Sequence, residues 1–375
     1  MTSGYMFITP CVAASIHDLP DDVLVEILCK LPIKDLNSCK YISKLWNFLI
    51  SRVCVPIILA SNPVYSLIFP VVSEENGEWS FTDIRSSNDH RTREISLRES
   101  DLDIASLPFH PSPDAFRDCC NGLLLYFDMA SKHYFLCNPY THQIINIPNP
   151  PGKVIYLKTA LIFDSHYKIV NMGGSQPKLN IFSLVTRQWS VHNLGPYFSY
   201  DGQTWDTRFI FLDGSIYKLS VARYVLKIDL NNPADCREIT IPETRPFINV
   251  GCLGVSQGDL HYGWDNIFFE MMVWTLKTGS SDCPDEWILK YSISFEYFKH
   301  HPTMSKNNPR ILAFHPTTEK VIIGNCLGLF FYEPNTRKLE VICVFSSGKK
   351  VIPRRYPVYL FSPNVTRLEK LSQGI

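Results

Sequence analysis

The sequence predicts a small N-terminal all-α domain of three helices followed by a large all-β domain, for which a β-propeller is the leading architecture. Residues 17–55 carry apolar residues at helical spacing. From there on, the chain consists of short apolar runs between turn residues, and one strand–turn–strand unit recurs at intervals of roughly 40 to 50 residues. We therefore divide the chain into a disordered N-terminus (1–16), a helical domain (17–55), a β-domain (62–362) and a C-terminal tail (363–375).

The helical domain opens with a helix start signal. Pro20 lies near the first helical position, and acidic residues follow in the first turn, where they favour the helix dipole. Apolar residues then recur at spacings of three and four: Val23, Leu24, Ile27, Leu28 and Leu31. Pro32 is expected to end this helix, since it supplies no amide and disfavours helical geometry at the preceding residue. We expect a second helix from Lys34 to about Tyr41 and a third from about Ser43 to Ser51.

The β-domain repeats a unit of hairpins. In one copy, Asn121-Gly122 precedes the run LLLYF, and the run HYFLCNP follows; in another, Gly328-Leu329 opens a strand and Pro334-Asn335 turns it. A single unit of this kind cannot cover its own apolar faces, whereas units stacked radially bury them and leave only short edges. We put the number of blades at roughly six to eight, the usual range. The alternative is a large sandwich or two packed sheets.

Charge and cysteine content limit the classes of partner. Lys plus Arg and Asp plus Glu both number 36 in the 375 residues, so no net field attracts nucleic acid or an anionic membrane. The 12 cysteines are scattered singly through apolar runs, and the first twenty residues contain no Lys or Arg. No run reaches the roughly 18 apolar residues that span a bilayer. We expect a soluble protein with reduced thiols in the cytoplasm, the nucleus or both.

The segment LPDDVLVEILCKLPIKDLNSCKYISKLWNFLI, residues 19–50, resembles the F-box. The family pattern is Leu-Pro, an acidic residue, an apolar helix with Ile-Leu, a second Leu-Pro, and a Val-Ser-Lys-x-Trp ending. This sequence departs from it at Cys39, where a bulkier residue is common, and at Ile42, which replaces Val. The resemblance implies docking on a small Skp-type adaptor, which joins a cullin and a RING subunit, through these residues: Leu19, Pro20, Val23, Ile27, Leu28, Leu31, Pro32, Leu36, Ile42, Lys44 and Trp46.

Physical reasoning also favours a module that needs a partner. Three short helices in about 40 residues bury too little surface to be robust alone, yet they carry more apolar side chains than such a bundle can hide, which marks an interface. The alternative is a helical cap packed on the β-domain.

The β-domain resembles the F-box-associated domain, a kelch-like β-propeller, of the large plant F-box families. The run Cys120-Asn121-Gly122-Leu123-Leu124-Leu125 and the later run Cys137-Asn138-Pro139-Tyr140-Thr141 carry this resemblance, which covers about 30 residues. It implies a plant source and a domain that recognises a protein target, whose identity the sequence does not give.

Few residues have the spacing that catalysis or metal binding needs. His133, Cys137 and His142 lie close in sequence, but no paired CxxC or HxxxH spacing accompanies them. The sequence has no phosphate-binding glycine-rich loop, no GxSxG elbow and no Cys/His catalytic signature. We therefore expect a non-catalytic protein without a metal or cofactor.

Three residues are candidates for target contact. Trp205 and Arg208 lie in a polar stretch, and Trp264 lies between turn-forming residues, where a propeller exposes its connections. The competing role of the tryptophans is core packing.

The leading hypothesis is thus a substrate-recognition subunit of a ubiquitin ligase. An Skp-bound scaffold or ligand sensor without a degradative role, and a propeller enzyme with a helical cap, are the alternatives.

Overall fold

The structure is a computed structural model, and it describes residues 16, 19–31, 33–54, 66–73, 79–85, 115–128, 130–138, 143–152, 158–173, 178–194, 208–220, 223–242, 251–266, 270–279, 284–301, 304, 309–325, 327–344, 349–350 and 358–361. Residues 1–15, Pro32, Trp205 and the tail 363–375 lie outside this set, so the predictions for them remain predictions. The chain forms two compact units, Met1–Pro63 and Val64–Ile375. Each is described by itself.

The first unit is helical: α1 (Asp21–Leu28), α2 (Ile33–Cys39), α3 (Lys44–Leu49) and a π-helical turn (Ile50–Cys54). At the start of α1 the carbonyl of Pro20 accepts a hydrogen bond from the amide of Leu24 at 3.0 Å. At the start of α3 the hydroxyl of Ser43 accepts one from the amide of Trp46 at 3.1 Å, which satisfies an otherwise unpaired donor.

The first helix is shorter than the spacing of apolar residues predicts. It ends at Leu28 rather than at Leu31. The amides of Lys30 and Leu31 instead donate to carbonyls three residues earlier, at 3.1 and 3.0 Å, so the last turn tightens before Pro32.

The core of the helical unit contains buried side chains from α1, α2 and α3. Leu24 and Leu28, four residues apart, are the buried residues of α1. The remaining buried side chains among the described residues of this unit are Leu36, Trp46, Leu49, Ile50 and Cys54.

The second unit contains five blades, each made of four consecutive antiparallel strands. The first two blades consist of β3 (Phe116–Cys120), β4 (Leu123–Asp128), β5 (His133–Asn138) and β6 (Gln143–Ile147), and of β7 (Lys158–Asp164), β8 (His166–Gly173), β9 (Lys178–Ser183) and β10 (Gln188–Asn193). The third and fourth consist of β11 (Ile210–Leu212), β12 (Ser215–Leu219), β13 (Tyr224–Asp229) and β14 (Cys236–Thr240), and of β15 (Cys252–Ser256), β16 (Asp259–Asn266), β17 (Glu270–Lys277) and β18 (Glu286–Ser294). The fifth consists of β19 (Arg310–Phe314), β20 (Val321–Asn325), β21 (Gly328–Glu333) and β22 (Lys338–Val344).

A sixth sheet joins the two ends of this unit. Strand β1 (Ser66–Ser73) pairs with β2 (Trp79–Arg85) on one side and with the short strands β23 (Lys349–Lys350) and β24 (Tyr359–Phe361) on the other. The register places Leu67 opposite Leu360. Pairing between residues so distant in sequence closes the ring and covers edges that the terminal strands would otherwise expose.

The sheets pack face to face around a closed ring, and apolar clusters lie between neighbours. One cluster joins β3–β6 to β7–β10, a second joins β7–β10 to β11–β14, a third joins β11–β14 to β15–β18, and a fourth joins β15–β18 to β19–β22. The closing sheet packs against the last blade through Leu67 and Val358 and against β3 through the Phe116–Tyr359 ring contact at 4.8 Å. The prediction of a β-propeller is therefore confirmed, and the sandwich alternative is wrong.

The Asn-Gly turn is structural, as its sequence predicts. Asn121 and Gly122, between β3 and β4, both have positive φ (43° and 76°). Asp213 and Gly214 take the same conformation between β11 and β12 (48° and 73°). Glycine adopts this left-handed geometry without steric cost, and it matches the twist of a two-residue hairpin.

The first strand of each blade lies innermost. Strands β3 and β7, β11 and β15, and β15 and β19 contact each other, as do β24 and β3. Neighbouring inner strands run parallel: the thiol of Cys252 donates to the Leu312 carbonyl, and four residues later the hydroxyl of Ser256 donates to the His315 carbonyl. The inner strands therefore begin at one common end of the central channel, as in other propellers.

Candidate partner-binding surfaces

The helical unit exposes large apolar side chains beside its buried ones. On α1, Val23 is 39% exposed and Ile27 is 40% exposed, four residues apart on one face. Ile42, just before α3, is 53% exposed. Exposed apolar residues grouped on short helices are typical of a protein–protein interface. We call Val23, Ile27, Ile42, Leu45 and Phe48 the exposed apolar set.

Leu45 and Phe48 belong to this set although the F-box pattern did not predict them as contact residues. They lie three residues apart on α3, and Phe48 is 59% exposed. The adjoining side of the same helix is buried through Trp46 and Leu49. The helical spacing of these four residues is the signal that could have separated the two sides. Tyr41, in the turn between α2 and α3, is 85% exposed and was not predicted either.

Three predicted contact residues lie in the core instead. Leu28, Leu36 and Trp46 are buried within the helical unit. These three side chains hold the helices together, and their predicted contact with an adaptor stays a prediction. Sequence spacing could not distinguish Ile27 from Leu28, because both lie on the broad apolar stripe of α1.

The remaining predicted residues of this unit that the structure describes are accessible. Pro20 and Lys44 are exposed, and Leu19 and Leu31 are half-buried. The only ion pair described on α1 is Glu26–Lys30 at 2.8 Å, where the lysine hydrogen bond lowers the pKa of the Glu26 carboxyl. Both side chains are almost fully in water, so this pair adds little stability.

A pair of thiols links α1 to the π-helical turn. Burial, reinforced by the neighbouring Cys29, raises the pKa of Cys54 to about 12. The thiols of both residues donate weak hydrogen bonds to carbonyls, of Cys54 and Val25 respectively, at 3.9 Å. A thiol with so high a pKa remains protonated and acts as a small apolar residue.

In the propeller, Arg208 lies two residues before β11 and is half-buried. Its guanidinium carbon is 5.4 Å from the centroid of the Tyr359 ring in β24, and its charge acts on Asp118 in β3. The predicted contact residue is thus placed at the channel rather than on an outer loop.

Trp264 lies in the core and not in a surface turn. It lies inside β16, is 4% exposed and packs in the cluster between β11–β14 and β15–β18. Its polar neighbour Asp265 is also buried and is paired with Arg310 at 2.9 Å, and target contact by Trp264 stays a prediction. Trp205 lies outside the described residues.

Within the described ranges, no group of three or more His, Cys, Asp or Glu side chains could hold a metal ion. The eight cysteines whose side chains the structure describes are free thiols. No helix among the described residues is both long enough and apolar enough to cross a membrane.

Two families match the two units. Residues 16–57 match the F-box domain. Residues 104–323 match the β-propeller family described as F-box protein At3g26010-like. The narrower prediction of a kelch-like propeller is not supported by this match and stays a prediction.

The similar proteins are from Arabidopsis thaliana. Putative F-box protein At3g23960 is 23% identical over 320 residues, which cover 75% of this chain and 74% of that protein. F-box protein At5g07610 is 26% identical over 317 residues, with 74% and 70% coverage. Putative F-box protein At1g47300 is 25% identical over 142 residues, which cover 35% of this chain and 45% of that protein.

Proposed function

The chain belongs to the family of F-box proteins with an At3g26010-like β-propeller, and on this basis we propose that it is the substrate-recognition subunit of a Skp–cullin–F-box ubiquitin ligase. In this role the helical unit docks on a Skp-type adaptor, which connects it to a cullin and a RING subunit. The propeller binds a protein target. The chain itself performs no covalent chemistry; it raises the effective concentration of target lysines near the ubiquitin thioester.

The observation that carries this proposal is the exposed apolar set on the F-box helices. Full burial of one such side chain contributes roughly 1.5 to 3 kcal/mol. Since Val23 and Ile27 already hide more than half of their surface, docking would gain about 1 kcal/mol from each. Phe48, with 59% of its surface exposed, would contribute about 1–2 kcal/mol. Several side chains of this kind are needed before the cost of association is met.

The experiment is a titration of the full chain with a purified Skp-type adaptor. The variant carries Ile27→Ser and Phe48→Ser, which remove exposed apolar surface and leave the buried side of each helix intact. The matched control is Val191→Ser on β10, an equally exposed apolar residue of the propeller (46%). We expect the double variant to lose about 2 kcal/mol or more, a roughly thirtyfold rise in Kd, and the control to bind like the wild type.

Wild-type affinity in the double variant would remove the exposed apolar set from the interface. If the helical unit is only a cap without an adaptor partner, then the wild type, the double variant and the Val191→Ser control will all fail to bind the adaptor. That result would favour the propeller-enzyme alternative.

A non-degradative role is the second alternative, and adaptor binding does not separate it from the first. Proximity labelling in cells, with and without a proteasome inhibitor, would do so. A degradative role predicts target proteins whose labelling rises with the inhibitor in cells that express the wild type, and does not rise with the double variant. Unchanged labelling would favour a scaffold or a sensor.

We also propose that the protein acts in the cytoplasm, the nucleus or both. The free thiols support a reducing compartment. Fluorescent tagging checks this, and exclusive localisation to a secretory compartment would contradict it.

A further inference from the structure

Arg208 reaches across the central channel. The sheet that contains β11 and the closing sheet are three places apart in either direction around the ring, so they face each other. The 5.4 Å between the Arg208 guanidinium carbon and the Tyr359 ring therefore spans the channel, not a blade-to-blade contact. The charge of Arg208 also acts on Asp118 in β3 and on Cys252 in β15. The guanidinium thus lies among four of the inner strands, near their starting ends.

Within the described residues the hydrogen-bonding capacity of this guanidinium is unused. None of the described carboxylates lies within ion-pair distance of Arg208, and its described contact is the stacking on Tyr359. The carboxylate of Asp118 is occupied elsewhere: its two oxygens accept hydrogen bonds from the amides of Cys119 at 2.8 Å and Leu161 at 2.9 Å. By contrast, Arg310 at the start of β19 is paired with Asp265 at 2.9 Å. A guanidinium offers five donors in a planar fork that fits a carboxylate with two parallel hydrogen bonds.

The two ends of the channel differ in charge. Near the starting ends of their inner strands, β3 carries Arg117, whose guanidinium lies over the Phe127 ring at 5.4 Å, and β7 carries Lys158. At the other ends the last residues of the five blades' inner strands are Cys120, Asp164, Leu212, Ser256 and Phe314, none of which is basic. Cations gathered at a partly desolvated mouth attract and concentrate anionic ligands.

We propose that Arg208 is the centre of an anion-binding site at this mouth, and that it receives a carboxylate from an acidic segment of the recruited protein. The peptide nature of the ligand rests on the proposed function, since a recruitment subunit binds proteins. Arginine buried at the middle of an interface is typical of a binding hot spot, because the partner's carboxylate is then shielded from water. The Tyr359 ring holds the planar guanidinium in place from one side, which lowers the entropy lost on binding.

The test uses the full chain and a fluorescently labelled hexaglutamate peptide, with affinity measured by anisotropy. Arg208→Gln removes the charge at the channel, and Arg208→Lys keeps the charge but removes the planar fork. The control is Lys178→Gln, which removes one exposed charge at the start of β9, away from the channel. We expect Arg208→Gln to weaken binding about tenfold or more, Arg208→Lys to weaken it by an intermediate factor, and Lys178→Gln to change it less than about twofold.

Three results would overturn the inference. The first is no binding of the peptide by the wild type, and the second is an equal loss in Arg208→Gln and Lys178→Gln, which indicates unspecific charge attraction. The third is displacement of the peptide by inorganic phosphate at an equal concentration of charge, which indicates a site for small free anions. If Arg208→Gln lowers the melting temperature, the peptide affinity of Arg208→Lys is compared with that of the wild type. Equal affinities would then also overturn the inference.

Adaptor binding is measured on the same preparations. Loss of peptide binding in Arg208→Gln with unchanged adaptor affinity supports the site. A wild type that binds the peptide but not the adaptor contradicts the proposed function alone, whereas one that binds the adaptor but not the peptide contradicts only the inference on Arg208.

Discussion

Replacement of Asp118 by Asn tests how the propeller holds a buried carboxyl group beside its channel. Burial raises the pKa of Asp118 from its ordinary 3.8 to about 6, although the charge of Arg208 and hydrogen bonds from Leu161 and Cys119 act in the opposite direction. Asp118 is 4% exposed, so solvent screens this effect little. The folded protein therefore holds the Asp118 proton more tightly than the unfolded chain does.

The sign of the pH dependence follows from this raised pKa. Below pH 3.8 the group is protonated in both states, and its contribution to the free energy of unfolding is fully present. As the pH rises through about 6 the unfolded chain releases the proton more readily, so stability is lost. At 1.36 kcal/mol per pH unit the loss amounts to about 2–3 kcal/mol between about pH 4 and pH 7.

Urea unfolding of the wild type and of Asp118→Asn at several pH values measures this effect. Asparagine does not titrate. Subtracting the two free energies of unfolding therefore removes the contributions of the other ionisable groups, which both proteins share. We expect the wild type to lose about 2–3 kcal/mol relative to the variant as the pH rises from about 4 to 7. A flat difference would show that the pKa of Asp118 is not raised. A difference that grows in favour of the wild type would show direct pairing with Arg208, whose guanidinium would then not be available to a ligand.

Further predictions concern packing and docking. Leu36→Ala should cost the helical unit about 2–5 kcal/mol of stability, because the residue has no exposed surface; an unchanged circular dichroism melt of the helices would contradict this. Leu19→Ala combined with Pro20→Ala should abolish adaptor binding and leave the propeller folded, and wild-type adaptor affinity in calorimetry would refute it. Gly263→Ala should lower the free energy of unfolding by about 1–3 kcal/mol, because its new Cβ would lie 2.8 Å from the Ile311 side chain. Equal urea midpoints for the variant and the wild type would show that Ile311 moves aside without a loss of stability.

The repeated hairpins and the helical pattern were predictable because each depends on local spacing. The Asn121-Gly122 turn and the strands beside it follow from turn chemistry and alternating burial, which need no distant contact. The β1–β24 pairing does not follow in this way. It joins residues near 67 to residues near 360, and neither strand carries a sequence signal for the other.

Burial was harder to predict than secondary structure. Trp264 has polar neighbours in sequence, and these indicated an exposed turn, yet the strand β16 continues through it and the partner of Asp265 is a distant arginine. On α1 the apolar stripe is broader than the core that it covers, so Leu28 and Ile27 look alike in the sequence and differ only in the folded unit. Arg208 was identified from its polar surroundings, but its position across the channel from Tyr359 depends on ring closure.

The measurement that tests the proposed function most directly is the assembly of the purified chain with a Skp-type adaptor, a cullin and a RING subunit, with the mass of the product determined by light scattering. The proposal predicts a single complex with one copy of each subunit, and it predicts that the chain carrying Ile27→Ser and Phe48→Ser stays outside it. A wild-type chain that remains separate while the other three subunits assemble would contradict the proposal.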